Sequence, residues 1–320
     1  MSVKSSKAEL DAAIAAIQQS LAEVNFETLY QKASNKQREE DWENLERFRR
    51  LLGVPSIDLS PEVDVLFCQR TLEKAFQKGD LTPRLANSFT RMTLNLLEED
   101  DVYNQWMSTS HSALFLISGR TKPESRDGHN TCSWLSMACV LVAENLRADD
   151  SFTLFYSCHP NLRADDFVPW QAPLSTLTYQ ALTHRPEVLR HDNQHLRSLV
   201  REWQEESYDR KKLSMMVQTL RECLANATVD PQKPLYIILD RVDLCDGSKG
   251  LKHHLLKQLV SLVSDNSLFV KVMLVVDSNL WEGLDDVFDD LKNGAKGRLL
   301  GKLGWHQREH TRYLPSPEWL

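Results

Sequence analysis

From residue 1 to about 110 the apolar positions recur at three and four residues and no alternation of period two appears, so the stretch reads as helical throughout. In Ala8 to Val24 the set Leu10, Ala13, Ile14, Ile17 and Leu21 forms one narrow stripe opposed by Lys, Glu and Gln, the pattern of an amphipathic helix that docks on the body or on a partner. QREEDWENLERFRRLLG predicts a second helix, Gln37 to Gly53, with Gly53 as its C-terminal cap and Pro55 just beyond. Further helices are predicted over Val63 to Gln77 and Pro83 to Glu98, and the acidic run Glu98 to Asp101 reads as a solvated helix end rather than a metal site.

At His111 the pattern changes. ALFLIS is a short, continuously apolar run closed by Gly119, as a strand buried on both faces requires. Three more such runs follow, from Ser151, Pro234 and Val270, all rich in β-branched and aromatic residues. Helical periodicity lies between them, over Cys132 to Arg147, Leu174 to Ala225 and Leu251 to Val263. Strands alternating with helices imply right-handed crossovers and a mostly parallel sheet flanked by helices. The expected class is α/β, with an all-helical N-terminal region at 1–110 and the sheet domain at 111–320. No internal repeat is visible.

Composition narrows the functional classes. At 320 residues, two compact units or one large domain with an appendage are expected. With 42% hydrophobic and 26% charged residues the chain is of a globular kind. A net charge of −7 provides no general field for nucleic acid or an anionic membrane. The longest apolar stretch, Trp134 to Ala143, is far short of the roughly 20 residues that span a bilayer. The N-terminus lacks the unbroken apolar core of a secretory signal, so an intracellular, cytoplasmic protein is expected. Six scattered cysteines (Cys68, Cys132, Cys139, Cys158, Cys223, Cys245) form no C-x-x-C pair and read as reduced, buried thiols.

In an open parallel sheet, ligands bind beyond the carboxyl ends of the strands. The third run ends in LYIILDRVD, where Asp240 and then Asp243 follow four apolar residues, the arrangement that presents a carboxylate to Mg²⁺ at a strand tip. By itself the segment reads more simply as a strand whose acid caps a turn. The first run leads through GRTKPESRDGHNT into a helix beginning near Thr131, the layout of a phosphate-binding strand, loop and helix. The loop chemistry departs from G-x-x-x-x-G-K-[ST]. Gly119 and Gly128 are nine residues apart, His129 and Asn130 stand where Lys and a hydroxyl belong, and Thr131 is the remaining hydroxyl. Lys122 and Arg126 offer positive charge from a longer loop. HQREH at His306 to His310 matches a zinc-peptidase pattern but lacks room for a further ligand, and HDNQH at His191 to His195 lacks a Glu base; both read as accidental. Trp134, Trp170 and Trp203 read as core or interface aromatics.

The order of segments resembles the NACHT or STAND class of signal-transduction P-loop NTPases, in particular its large fungal group. YNQWMSTSHSALFLISG resembles the family's entry into the nucleotide domain, and LSTLTYQALTHRPEVLR its helix after the second strand. LYIILDRVDLCD resembles its Walker B block, and VKVMLVVDSN stands where the family carries its sensor strand. The resemblance covers about 100–280 and implies a P-loop NTPase-like fold. The departures fall on chemical positions. The Walker A Lys is absent, Leu244 replaces the acid that would polarise water, and Ser278 and Asn279 replace the Arg after the fourth strand. Each such group contributes a factor of roughly 10² to 10³ in rate, so their joint loss implies negligible turnover.

The expectation is therefore a catalytically degenerate regulatory or scaffolding protein without cofactor, acting through protein partners, among them a full-length relative. The glycines, Lys122, Arg126 and Thr131 are then a vestigial nucleotide site, and Asp240 and Asp243 a vestigial metal site. The alternative is a divergent ATPase or GTPase in which Lys122 or Arg126 replaces the missing Lys and Asp240 holds Mg²⁺. The tail, with a helical run Asp285 to Leu291 and a basic segment Lys292 to Lys302, reads most simply as solvated surface, with closure of the sheet edge or a partner contact as alternatives.

Overall fold

A computed structural model describes residues 26–55, 97–119, 135–158, 168–191, 193–228, 230–265, 267–277 and 299–304. The helices expected at Ala8 to Val24, Val63 to Gln77 and Asp285 to Leu291 lie outside them, as do all but the end of Pro83 to Glu98 and the segment His306 to His310.

The four apolar runs, joined by a fifth strand from the tail, form one five-stranded parallel sheet of order β2-β4-β6-β1-β7. These are β1 (Ala113–Gly119), β2 (Thr153–Ser157), β4 (Leu235–Asp240), β6 (Val270–Asp277) and β7 (Leu299–Gly304). β7 pairs with β1 from Ala113↔Leu299 to Ser118↔Gly304, so this part of the tail closes the sheet edge instead of running as solvated surface. A short parallel pair, β3 (Val168–Pro169) with β5 (Cys245–Asp246), lies apart from the main sheet. Two-residue strands carry too little periodicity to be read in advance.

The direction of each crossover decides which face a helix covers. From β1 the chain moves towards β2 in one sense, and every later crossover moves in the other, so right-handed connections place the first helix on one face and the rest on the opposite face. α3 (Leu135–Ala148) accordingly shares a core with α2 (Asp101–Ser108) and with Phe115, Ile117, Phe155, Tyr236, Ile238, Met273 and Val275. The alternate residues Leu114, Leu116, Leu154, Ile237, Leu239, Val272 and Leu274 face the larger layer. That layer comprises α1 (Phe26–Leu52), α4 (Ala172–His184), α5 (Val188–His191), α6 (Asn193–Glu205), α7 (Asp209–Ala227) and α8 (Lys249–Val263).

The long helical region predicted from Leu174 is divided where Pro186 follows Arg185 and again at Glu206 to Tyr208. Proline disfavours helical backbone in its predecessor, and Arg185 sits at φ −138°. α1 begins earlier than Gln37 and ends as expected. Gly53, at φ +70°, donates to Arg50 O and Val54 to Arg49 O, the paired bonds of a left-handed cap. Leu45, Phe48 and Leu52 of α1 enter the larger core, and Arg190 forks onto Asp41 through Nε and Nη2. Asp100 is a buried helix start rather than a solvated end, its carboxylate accepting from Val102 and Tyr103 N–H at 3.0 and 3.1 Å. Cys139, Cys158, Cys223 and Cys245 are buried thiols outside any disulfide, while Cys68 and Cys132 lie outside the described residues.

Two buried polar residues settle problems that the apolar pattern leaves open. β2 is an edge strand, and Gln180 from α4 takes its free backbone groups. Its Oε1 accepts from Phe155 N–H at 3.0 Å and its Nε2 donates to Phe155 O at 2.8 Å. Lys271 of β6 is 2% exposed, donates to Met107 O at the C-terminal turn of α2, and lies 5.8 and 5.5 Å from the Tyr236 and Phe269 rings. Burial pushes its amine down to about 8. The folded state thus holds the proton more weakly than the unfolded chain, so the contribution of Lys271 is full above pH 10.5 and falls as pH drops through 8. Stability is expected to rise between pH 7 and 9.5, and Lys271→Met should flatten that rise in thermal unfolding curves. An unchanged slope in the variant would remove Lys271 as its source.

Candidate functional site

The carboxyl ends of β1, β2, β4 and β6 meet the N-terminal end of α3. The register sets Ser157 beside Asp240, Asp240 beside Val275, and Gly119 beside Asp277. Ser157, Ile238 and Asp240 therefore point to the face that α3 covers, because side chains alternate along a strand. Of the residues singled out in the loop, only Gly119 is described, as the last residue of β1. Lys122, Arg126, Gly128 and Thr131 lie outside the described residues, together with Ser278, Asn279 and Trp134.

Asp240 is 1% exposed. Ser157 Oγ donates to its Oδ2 at 2.7 Å, and Ser136 on the first turn of α3 approaches the carboxylate without closing a hydrogen bond. Asp240 Oδ1 and Ser136 Oγ are consequently two buried oxygens without partners among the described residues. Burial pushes the Asp240 carboxyl up to about 6, against the opposing pull of the Ser157 hydroxyl, the Arg241 charge and Ser136. Neither serine stood out in the sequence. Each matters only through the pairing of β2 with β4 or the docking of α3.

Beyond Asp240 the backbone turns sharply. Arg241 N–H continues the ladder by donating to Val275 O at 2.8 Å, then the residue adopts φ 57°, ψ 46° and opens a 3₁₀ turn over Val242–Leu244. This conformation is ordinarily glycine's. The Arg241 side chain is buried and meets Asp243 through Nε, 3.1 Å from both carboxylate oxygens, and through Nη2, 2.9 Å from Oδ2. Lys252 of α8 donates to the Asp243 carbonyl. The structure thus keeps Asp240 and Asp243 on one turn but gives them different surroundings. Asp240 faces α3 and two hydroxyls, whereas Asp243 is held by a guanidinium.

The class resembled in sequence holds Mg²⁺ at this position, and the residues described fit it poorly. An oxygen cage needs several accessible donors. Here one carboxylate is engaged by Arg241, and the free oxygens, Oδ1 and Ser136 Oγ, are closed off from solvent. Among the described residues no group of three or more His, Cys, Asp or Glu could hold a metal ion. No described helix is long and apolar enough to cross a membrane.

No curated protein matches the chain. The model of the family described as nephrocystin 3, N-terminal, matches residues 92–276, more than half of the chain, from just before α2 to the end of β6. This span nearly coincides with the stretch that resembles the NACHT class, and it includes Ser136, Ser157 and the Asp240 to Asp243 turn. The chain therefore belongs to the nephrocystin 3 N-terminal family, a NACHT-associated family.

Proposed function

We propose that the chain is a NACHT-related regulatory or scaffolding protein that acts through protein partners and has lost nucleotide hydrolysis. The observation that carries this reading is the buried fork of Arg241 on Asp243. It occupies the second acid of the strand tip, one position before Leu244, which has no proton to give or take. The missing Lys of the phosphate loop supports the same conclusion, since His129 and Asn130 stand in the sequence where the Lys and the hydroxyl belong. Catalysis of phosphoryl transfer is mostly positioning and electrostatics, so what remains supplies too little of either. In this reading no cofactor is required, the location is the cytoplasm, and the partner is a protein, a full-length relative included.

A second reading has one observation in its favour. Asp240 Oδ1 and Ser136 Oγ are unpaired at the carboxyl end of the sheet, with β6 between Asp240 and the end of β1, the side where a divergent Mg²⁺-dependent ATPase or GTPase would place its metal and phosphates, with Lys122 or Arg126 supplying charge. Titration calorimetry with ATP and GTP, with and without Mg²⁺, separates the two. The degenerate reading expects no heat of binding at millimolar nucleotide. Micromolar, Mg²⁺-dependent binding abolished by Asp240→Ala would replace it with the enzyme.

A further inference from the structure

Arg241 occupies a position that a glycine would fill more easily. Its backbone is left-handed, at φ 57°, and its side chain is 1% exposed, so a charged group stands where glycine would fit without strain or desolvation. Only an equally buried counter-charge makes such a placement tolerable, and Asp243 supplies it through three contacts of 2.9 to 3.1 Å. Its neighbour Asp240 also benefits, because the guanidinium charge opposes the effect of burial on that carboxyl. A Mg²⁺ ion bound at a strand tip of this kind is held through one or two carboxylates.

We infer that Arg241 is the resident cation of the β4 tip: its guanidinium takes the place of a divalent ion on Asp243, so that the acidic turn folds without metal. The inference deepens the degenerate reading of the site and rests on it. It assigns a reason for the loss of metal that is independent of the phosphate loop. A guanidinium suits this role better than an ammonium, because its planar fork meets both oxygens of one carboxylate at once and remains charged at every physiological pH.

The test needs the full chain and metal alone, without nucleotide, so that its outcome is separate from the calorimetric one. Thermal unfolding of the wild type is expected to be the same in EDTA and in 10 mM MgCl₂ at matched ionic strength. Arg241→Met, which keeps bulk but removes charge, should unfold about 10 °C lower in EDTA. It should recover part of that loss in MgCl₂ or CaCl₂, as the Asp243 carboxylate acquires a cation in place of the guanidinium. Arg241→Lys should lie between the two without a metal response. A metal-induced rise in the wild type would overturn the inference, since the site would then take an ion with Arg241 in place. So would an Arg241→Met protein that gains nothing from either metal, because the guanidinium would then be packing and not a substitute ion. If Arg241→Met does not fold in EDTA, the yield of refolding with and without Mg²⁺ decides: metal-dependent recovery supports the inference, and failure in both conditions overturns it.

Discussion

Asp243→Ala is expected to destabilise the fold by about 3–5 kcal/mol, the usual consequence of leaving one member of a buried ion pair without its partner. The guanidinium of Arg241, 1% exposed on a left-handed residue whose N–H is held by Val275 O, would lose the carboxylate that it forks onto. Replacing both members together, Arg241→Met with Asp243→Leu, should cost far less, because neither charge is then desolvated. Urea unfolding measures both, with the change in midpoint at constant slope giving the free energy. A loss below about 1 kcal/mol for Asp243→Ala would mean that the pair is solvated in solution and the turn is open.

Asp240→Asn is expected to act in the opposite direction. The Asp240 carboxyl, at about 6 in the folded protein against 3.8 in a free chain, binds its proton more tightly when folded. Its contribution to stability is therefore full below pH 3.8 and is lost as pH rises through 6. At pH 7.5 the carboxylate is a burden of no more than about 3 kcal/mol, which the neutral amide relieves. The amide oxygen still accepts from Ser157, and its NH₂ finds Ser136 Oγ as a neighbour. The variant should thus be more stable than the wild type at pH 7.5 and nearly equal to it at pH 4. Equal stability at both pH values, or a less stable variant at pH 7.5, would show that Asp240 is better hydrated or better paired than its surroundings indicate.

β7 comes from a basic, Gly-spaced segment and was not legible, whereas β1, β2, β4 and β6 were, because they are buried on both faces and so are apolar along almost their whole length. Asp240 ends such a run, which made it visible as well. The residues that give the site its character carried no comparable signal. Ser157 is one serine at the end of an apolar run until β2 pairs with β4, and Ser136 lies five residues past Thr131, the hydroxyl that the spacing favoured. Arg241 reads in sequence as a polar residue in a turn, and only the left-handed backbone turns it inward onto Asp243. Likewise Gln180 and Lys271 look like surface residues in a helical and a strand pattern. Their burial follows from which strand is at the edge and where α2 ends, and both depend on the order of the sheet and not on local periodicity. The long helical region was read as undivided, although Pro186 carries the signal for its first break; Glu206 to Tyr208 carries none for the second.

The family match begins at residue 92, yet the larger core is completed by Leu45, Phe48 and Leu52 from a helix that lies well before it. A fragment cut at the boundary of the match would retain the whole main sheet up to β6 and leave a greasy scar over α4, α5 and α6, with Arg190 deprived of Asp41. Such a fragment would be sticky for a reason unrelated to any natural binding surface. Partners captured with it would report on the missing helix, and screens for ligands of this chain gain from keeping residues 26–55 attached.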